Sequence, residues 1–271
     1  MLLNAYFDRI NYRGPTTPTL DTLNALALAH VKSIPFENID VLLGKGISLE
    51  EADVDAKLIT RKRGGYCFEQ NTLFIRVLTE LGFSVRPLSA RVRAGRPRDY
   101  LPARTHVFAR VELNNETWFA DVGVGGLSPT AALRFELDVE QPTPHETRRI
   151  TREDGRYFHQ ALRDGVWNDV CEFTLEEMPP IDREVANWFT SASPKSHFRN
   201  RLLCARAIDG GRITLLNREL TIRTREGTKT TTLNTPAELN AVLEQHFGLP
   251  LPEGTTLRCE GLDWSQPNKS S

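Results

Sequence analysis

The chain has 271 residues, with 34 lysines and arginines against 35 aspartates and glutamates, giving a formal net charge of −1. That balance argues against a dedicated nucleic-acid binder, which needs a basic excess, and 25% charged with 39% hydrophobic residues describes a soluble globular chain. Four scattered cysteines (Cys67, Cys171, Cys204, Cys259) with no CxxC spacing make a disulfide framework unexpected and reduced, cytoplasmic thiols expected.

The first residues, MLLNAYFDRINYR, lack a basic segment, an apolar core and a small-residue cleavage site, so a secretory leader is not expected. The apolar stretch LNALALAHV is far short of the roughly 20 residues needed to span a bilayer. Residues 1–84 read mostly as helix. Thr19 caps a segment whose apolar residues Leu20, Leu23, Leu26, Ala27 and Val31 recur at three and four, and Pro35 ends it. After Gly64-Gly65 comes CFEQNTLFIRVLTELGF, with Phe74, Val77, Leu78 and Leu81 at the helical interval and Gly82 as the stop.

From about residue 85 the period changes to two. Strands are expected at 84–92, 106–113 and 117–122, followed by a meander turned at Asp154-Gly155 and Asp164-Gly165. Short strands with frequent turns imply a small antiparallel barrel or curved sheet. The last third mixes classes: a helix over 181–189, a loop at SASPKS, then strands at 212–216, 219–224 and 229–233. A closing helix is bounded by Thr235 as cap, Pro236 and Glu238 in the first turn and Gly248 after the end. The tail SQPNKSS reads as disordered.

Chemistry concentrates around Cys67. It lies in RGGYCFEQN, where the glycines let backbone approach a ligand closely and a helix start, with free N–H groups, stabilises a thiolate. The competing reading is a buried structural cysteine, which is the one given to Cys171, Cys204 and Cys259. A nucleophilic cysteine needs a base and an orienter for that base. His106 and Asp121 fall on consecutive strand segments, HVFARVEL and TWFADVG, joined through Asn114-Asn115. If those asparagines form a two-residue loop, Leu113 pairs with Glu116, Phe108 faces Asp121, and His106 shares a face with Asp121 as its diagonal neighbour. The alternatives are an ordinary strand histidine and a strand-end aspartate capping the glycine turn. The other histidines lack such a carboxylate partner, and no ligand spacing suggests a metal.

The blocks YFDRI (6–10), HVKSIPFEN (30–38), RGGYCFEQN (63–71), TH (105–106) and DVGVGG (121–126) resemble the arylamine N-acetyltransferases. The resemblance implies an α+β fold: an N-terminal helical domain (1–84) carrying the cysteine, a central antiparallel β-barrel domain (85–180) carrying the histidine and aspartate, and a C-terminal α/β lid (181–271), around a cysteine-protease-like Cys-His-Asp core. It implies acetyl-CoA as co-substrate and donor, with arylamines, arylhydrazines or N-hydroxyarylamines as small-molecule acceptors in xenobiotic metabolism. No metal, nucleic acid or membrane is implied. By matching positions, Cys67 is the acetylated nucleophile, His106 its base and Asp121 the orienter. Thr105, Gly125 and Gly126 lie where the coenzyme's pantetheine arm reaches the cysteine. Phe36 lines the acceptor pocket, and Phe68 is expected to add an apolar wall. Arg63 and Glu37 match a buttressing ion pair.

Two positions depart from the family pattern. Val124 stands where phenylalanine is common, which should widen the acceptor pocket, and Ala132 replaces a second proline. The arginines at 91, 93, 96, 98 and 104 read either as a solvated loop or as donors to coenzyme A phosphates. A transglutaminase-like or other thiol hydrolase, and a non-catalytic binding module on the same scaffold, remain the alternative functions.

Overall fold

The computed structural model describes residues 3–265, so all of the tail beyond Ser265 lies outside the described residues. In chain order the elements are α1 (Leu3–Arg9), α2 (Leu20–Ser33), β1 (Phe36–Glu37), α3 (Ile39–Leu42), α4 (Glu51–Asp55), α5 (Cys67–Glu80), β2 (Ser84–Val92), β3 (His106–Leu113), β4 (Glu116–Ala120), β5 (Leu133–Arg134), β6 (Gln141–Pro142), β7 (Thr147–Glu153), β8 (Arg156–Arg163) and β9 (Val166–Glu177). Then follow α6 (Pro180–Ala192), β10 (Leu203–Ile208), β11 (Gly211–Leu216), β12 (Glu219–Thr224), β13 (Gly227–Thr232) and α7 (Pro236–Phe247).

Local chemistry sets most of these boundaries. Thr19 Oγ1 accepts from the Thr22 amide at 3.2 Å at the start of α2, and Thr235 Oγ1 accepts from the Glu238 amide at 3.1 Å at the start of α7. Each satisfies an N–H that a helix start otherwise leaves unpaired. Helix α5 buries Leu73, Phe74, Val77 and Leu78 completely, each such side chain stabilising the fold by about 1.5–3 kcal/mol. They pack with α1 and α2 against Ala109 and Val111 of β3 and Ala120 of β4.

The mixed α+β architecture holds two antiparallel sheets. One has eight strands in the order β5-β4-β3-β2-β9-β8-β7-β6. Its two edges meet: Gln141 of β6 accepts from the Arg134 amide of β5 at 2.7 Å and donates to the Arg134 carbonyl at 2.9 Å, so the sheet is nearly a closed barrel. Leu88, Ala90, Phe108, Phe119, Leu133, Ile150, Cys171 and Phe173 fill its interior. The second sheet, β1-β10-β11-β12-β13, packs the apolar face of α7.

Three expectations need adjustment. Strand β4 ends at Ala120, one residue short of Asp121, because the Val122 amide donates to Asn71 Oδ1 at 3.0 Å instead of continuing the ladder. The helix expected over 181–189 extends to Ala192, and the final strand lies at Gly227–Thr232. Strands β1 and β10 carry no sequence signal: β1 is two residues long, and β10 reads LCARAI. Pairing between them, Phe36 with Ala205 and Glu37 with Cys204, makes them strands where intrinsic preference does not.

Candidate active site

The hairpin at Asn114-Asn115 sets the first half of the site. Both asparagines take positive φ (53° and 62°), the backbone a tight two-residue hairpin turn needs and asparagine tolerates. Leu113 pairs with Glu116 and the register runs to Ala109–Ala120. Alternation then sends His106, Phe108, Phe119 and Asp121 toward the barrel interior, where Phe108, Phe119 and Asp121 line one cavity. The His106 ring stacks with Phe108, centroids 6.3 Å apart.

His106 Nε2 lies 2.7 Å from Asp121 Oδ2, with both groups buried. Cys67 also lies close enough to the imidazole to act on its charge. With Nε2 engaged by Asp121, Nδ1 is the nitrogen left for the sulfur. Burial alone would lower the His106 value, but the adjacent Asp121 charge and hydrogen bond, with a smaller contribution from Cys67, push it up to about 10. Burial likewise opposes charge on Asp121, yet the facing imidazole, Asn71 and the Gly123 amide hold its carboxyl below the usual carboxylate range.

Cys67 stands in the first turn of α5, and its Sγ donates to the Thr105 carbonyl at 3.5 Å. The double glycine before it answers to protein rather than to a ligand. A Cβ on Gly64 would lie 2.2 Å from the Pro35 carbonyl, and one on Gly65 would lie 2.8 Å from Glu69 Oε2. Gly65 exchanges hydrogen bonds with the segment 35–37, which brings β1 against the start of α5. Gly123 is held as closely on the other side: a Cβ there would meet Cys67 Cα at 2.8 Å.

A charged layer underlies this helix start. Arg63 pairs with Glu37 at 2.8 Å, as the resemblance implied, and Lys57 bridges Glu69 at 2.7 Å and Asp40 at 2.9 Å. Glu69 Oε2 also accepts from the Tyr66 amide at 3.0 Å, satisfying a backbone donor ahead of the helix.

Asn71 is the residue that sequence reading passed over. Its amide nitrogen donates to Asp121 Oδ1 at 2.9 Å and to the Val107 carbonyl at 2.6 Å, while its oxygen accepts from the Val122 amide. One side chain thus ties α5 to both strands of the hairpin. The available signal was its position four residues after Cys67, one helical turn along the same face.

The other candidate residues are placed as follows. Phe36 is half-buried beside Phe198, ring centroids 6.2 Å apart, and a Cβ on Gly125 would touch its ring at 3.4 Å. A Cβ on Gly126 would come within 2.7 Å of Thr214 on β11, so the glycine turn is wedged between Phe36 and the second sheet. Phe68 is wholly buried against Tyr66 and exposes no face. Val124 is buried with Ala161 and Val170. A cleft of about 350 Å³ opens beside Thr105, walled by Ser89, Met178, Ala186 and Phe189, with Arg104, Glu176 and Asp182 at its rim.

The arginine run lies at the end of β2 and on the largely exposed loop that joins it to β3, but most of its guanidiniums are paired. Arg93 is completely buried and pairs with Glu172 at 2.8 Å; Arg98 pairs with Asp169 at 2.8 Å and with Glu153; Arg104 pairs with Glu176 at 3.0 Å. Carboxylates of the same chain already engage these guanidiniums, while Arg96 is exposed, lies over the Tyr100 ring and has no ion pair among the described residues.

Comparison with known proteins places this geometry in context. A sequence model of a family described as N-acetyltransferase matches residues 19–256. The chain is similar to the arylamine N-acetyltransferase of Escherichia coli, 43% identical over 92% of this chain and 89% of that protein. It is 40% identical to a Salmonella typhimurium protein named arylamine N-acetyltransferase / N-hydroxyarylamine O-acetyltransferase, over 91% of this chain and 88% of that one. Among solved structures, the Mycobacterium marinum arylamine N-acetyltransferase in complex with CoA superposes with a TM-score of 0.88 and 39% identity, covering 91% of this chain and 92% of that one. Identity at this level, spread over nine-tenths of the chain, extends well past the motifs of the first half: the chain belongs to the arylamine N-acetyltransferase family.

Proposed function

We propose that this protein is an acetyl-CoA-dependent arylamine N-acetyltransferase that works by ping-pong transfer through an acetyl-cysteine on Cys67. The observation that carries the reading is the buried His106–Asp121 pair set beside Cys67, close enough for the sulfur and the imidazole to act on each other's charge. His106 takes the thiol proton, and the imidazolium, held by Asp121, is the counter-charge for the thiolate. The thiolate attacks the thioester carbonyl, the C–S bond to coenzyme A breaks, the departing thiolate takes the proton from His106, and the acetyl group remains on the Cys67 sulfur with the imidazole neutral again. Amide N–H groups at the start of α5 supply the oxyanion with donors and a favourable dipole end. The arylamine nitrogen, weakly basic and so unprotonated at neutral pH, then attacks acetyl-Cys67, the thioester C–S bond breaks to release the amide and the Cys67 thiolate, and His106 accepts the amine proton.

The cleft beside Thr105 fits an extended donor or an aromatic acceptor approaching the sulfur, and the close contact of Gly123 with Cys67 leaves no side chain between that turn and the nucleophile. In this reading Thr105, Gly125 and Gly126 flank the pantetheine arm, Phe36 and Val124 border the acceptor ring, and Phe68 supports that wall from behind. Residues 1–84 bring the nucleophile, 85–180 the base and orienter, and 181–271 the cover. The names of the relatives support arylamines and N-hydroxyarylamines as acceptors. A cytoplasmic protein acting on foreign aromatic amines accords with four free cysteines and with no described helix long and apolar enough to cross a membrane.

The test is to incubate the protein with acetyl-CoA and weigh it. One acetyl adduct on Cys67, absent from Cys67→Ala and discharged by an arylamine, is expected; no adduct on correctly folded protein overturns the reading.

A further inference from the structure

Inside the barrel, behind the His106–Asp121 pair, lies a cavity of about 20 Å³ lined by Phe108, Phe119, Asp121, His159, Cys171 and Phe173, among others. That is room for one water molecule, which a cavity retains when polar partners face it. Two such partners are present and their hydrogen-bond senses are fixed.

The first is His159. Its Nε2 lies 2.9 Å from Arg148 Nη1. A guanidinium only donates, so Nε2 must accept and the ring proton must sit on Nδ1. Burial, then the Arg148 charge, lowers the His159 value to about 3, which keeps the ring neutral in this tautomer. The nearest partner for Nδ1–H is Cys171 Sγ at 4.0 Å, a weak acceptor at long range. The second partner is Asp121. Its Oδ1 already accepts from Asn71 and from the Gly123 amide, both at 2.9 Å, whereas its Oδ2 has His106 as its one partner at 2.7 Å among the described residues. An ionised carboxylate oxygen accepts two bonds.

We propose that one water molecule occupies this cavity, accepting from His159 Nδ1–H and donating to Asp121 Oδ2, which makes His159 a positioning residue for the carboxylate that holds His106. The inference rests on the reading of Asp121 as orienter in the proposed transfer. It also gives Arg148 a function: fixed in turn by Glu146 at 3.1 Å, it sets the tautomer that aims a donor into the barrel. Glu146 bonds Arg212 of β11 at 2.7 Å, so the chain of contacts reaches the second sheet. The titratable groups lining this spot are Asp121, His159 from β8 and Cys171 from β9, and the charges that act on them come from His106 of β3, Arg148 of β7, Glu146, and Asp169 and Glu172 of β9.

Two substitutions separate the two ends of the ring. His159→Asn keeps an N–H donor near the Nδ1 position and abandons Arg148. His159→Gln keeps an acceptor for Arg148 near the Nε2 position and withdraws the donor from the cavity. The measurement is the rate of Cys67 alkylation by iodoacetamide as a function of pH, on protein whose melting temperature verifies folding. A missing hydrogen bond to a charged carboxylate disfavours its ionised form, so in His159→Gln the pH at which half the rate is lost on acidification should rise by about one unit, while His159→Asn stays near the parent. The reverse pattern, or no shift in either, overturns the proposal, as does a high-resolution crystal structure with a dry cavity. Alkylation needs no coenzyme A, so a parent protein that takes no acetyl adduct refutes the transferase reading separately.

Discussion

At the scale of single residues the site is an arrangement of charges that burial would otherwise forbid. His106 and Asp121 are each driven toward neutrality by desolvation, and each is kept ionised by the other. Replacing Asp121 by Asn removes the charge and reverses the proton preference at Nε2 of the imidazole. Turnover should fall by about 10³–10⁴-fold with a much smaller loss of stability, read from steady-state rates beside a thermal melt. Asn71 behaves differently because its partners are backbone as well as carboxylate. Asn71→Ala removes the partner of the Val122 amide and takes one donor each from the Val107 carbonyl and Asp121 Oδ1, the latter keeping the Gly123 amide. It should cost about 2–4 kcal/mol in urea unfolding as well as slowing transfer, whereas the Asp121 change mainly slows transfer. Val124 packs on Ala161 and Val170, so Val124→Phe should destabilise by about 1–3 kcal/mol and should reduce rates with bulky arylamines more than with small ones. Unchanged relative rates across a series of acceptors would remove Val124 from the acceptor wall.

At the scale of elements, the start of α5 depends on three chain segments approaching within backbone contact. The segment 35–37 crosses Gly64 and Gly65 on one side, and the turn at Gly123 closes on Cys67 from the other. A methyl group at position 64 would overlap the Pro35 carbonyl, and a backbone atom cannot swing aside as a side chain does. Gly64→Ala should therefore lower the midpoint of thermal unfolding by well over the shift that a surface substitution gives, on the order of 3 kcal/mol or more, and should weaken Cys67 alkylation in whatever protein remains folded. The hairpin joining β3 and β4 is the more tolerant device. Its two asparagines carry the positive φ, and its register sets which face His106 and Asp121 share.

At the scale of the whole molecule, buried histidines divide the pH dependence of stability. His30 is enclosed between Tyr6 and Gln70, and burial lowers its value to about 3, as it does for His159. Their unfolded forms take up protons first, so stability from these two groups is present above about pH 6.5 and is lost as pH falls toward 3, by about 1.4 kcal/mol per unit for each. His106 acts in the opposite sense. Its value is raised to about 10, so its contribution is full below about pH 6.5 and is lost as pH rises through 10. Urea unfolding across pH should therefore show a maximum near neutrality, and His30→Gln should flatten the acid side alone. The sequence by itself determined much of this protein: the helix caps at Thr19 and Thr235, the Asn114-Asn115 turn, the exchange of a helical for an alternating period near residue 85, and the placement of His106 and Asp121 on one face. These are local rules, acting over a few residues of chain. What only the tertiary structure decided was which distant groups meet. Asn71 reaches Asp121 across 50 positions, Arg93 finds Glu172 across 79, and β1 becomes a strand by pairing with β10. Such contacts are made because a buried charge or amide must find a partner once water is excluded, and no local pattern records which partner the fold will bring.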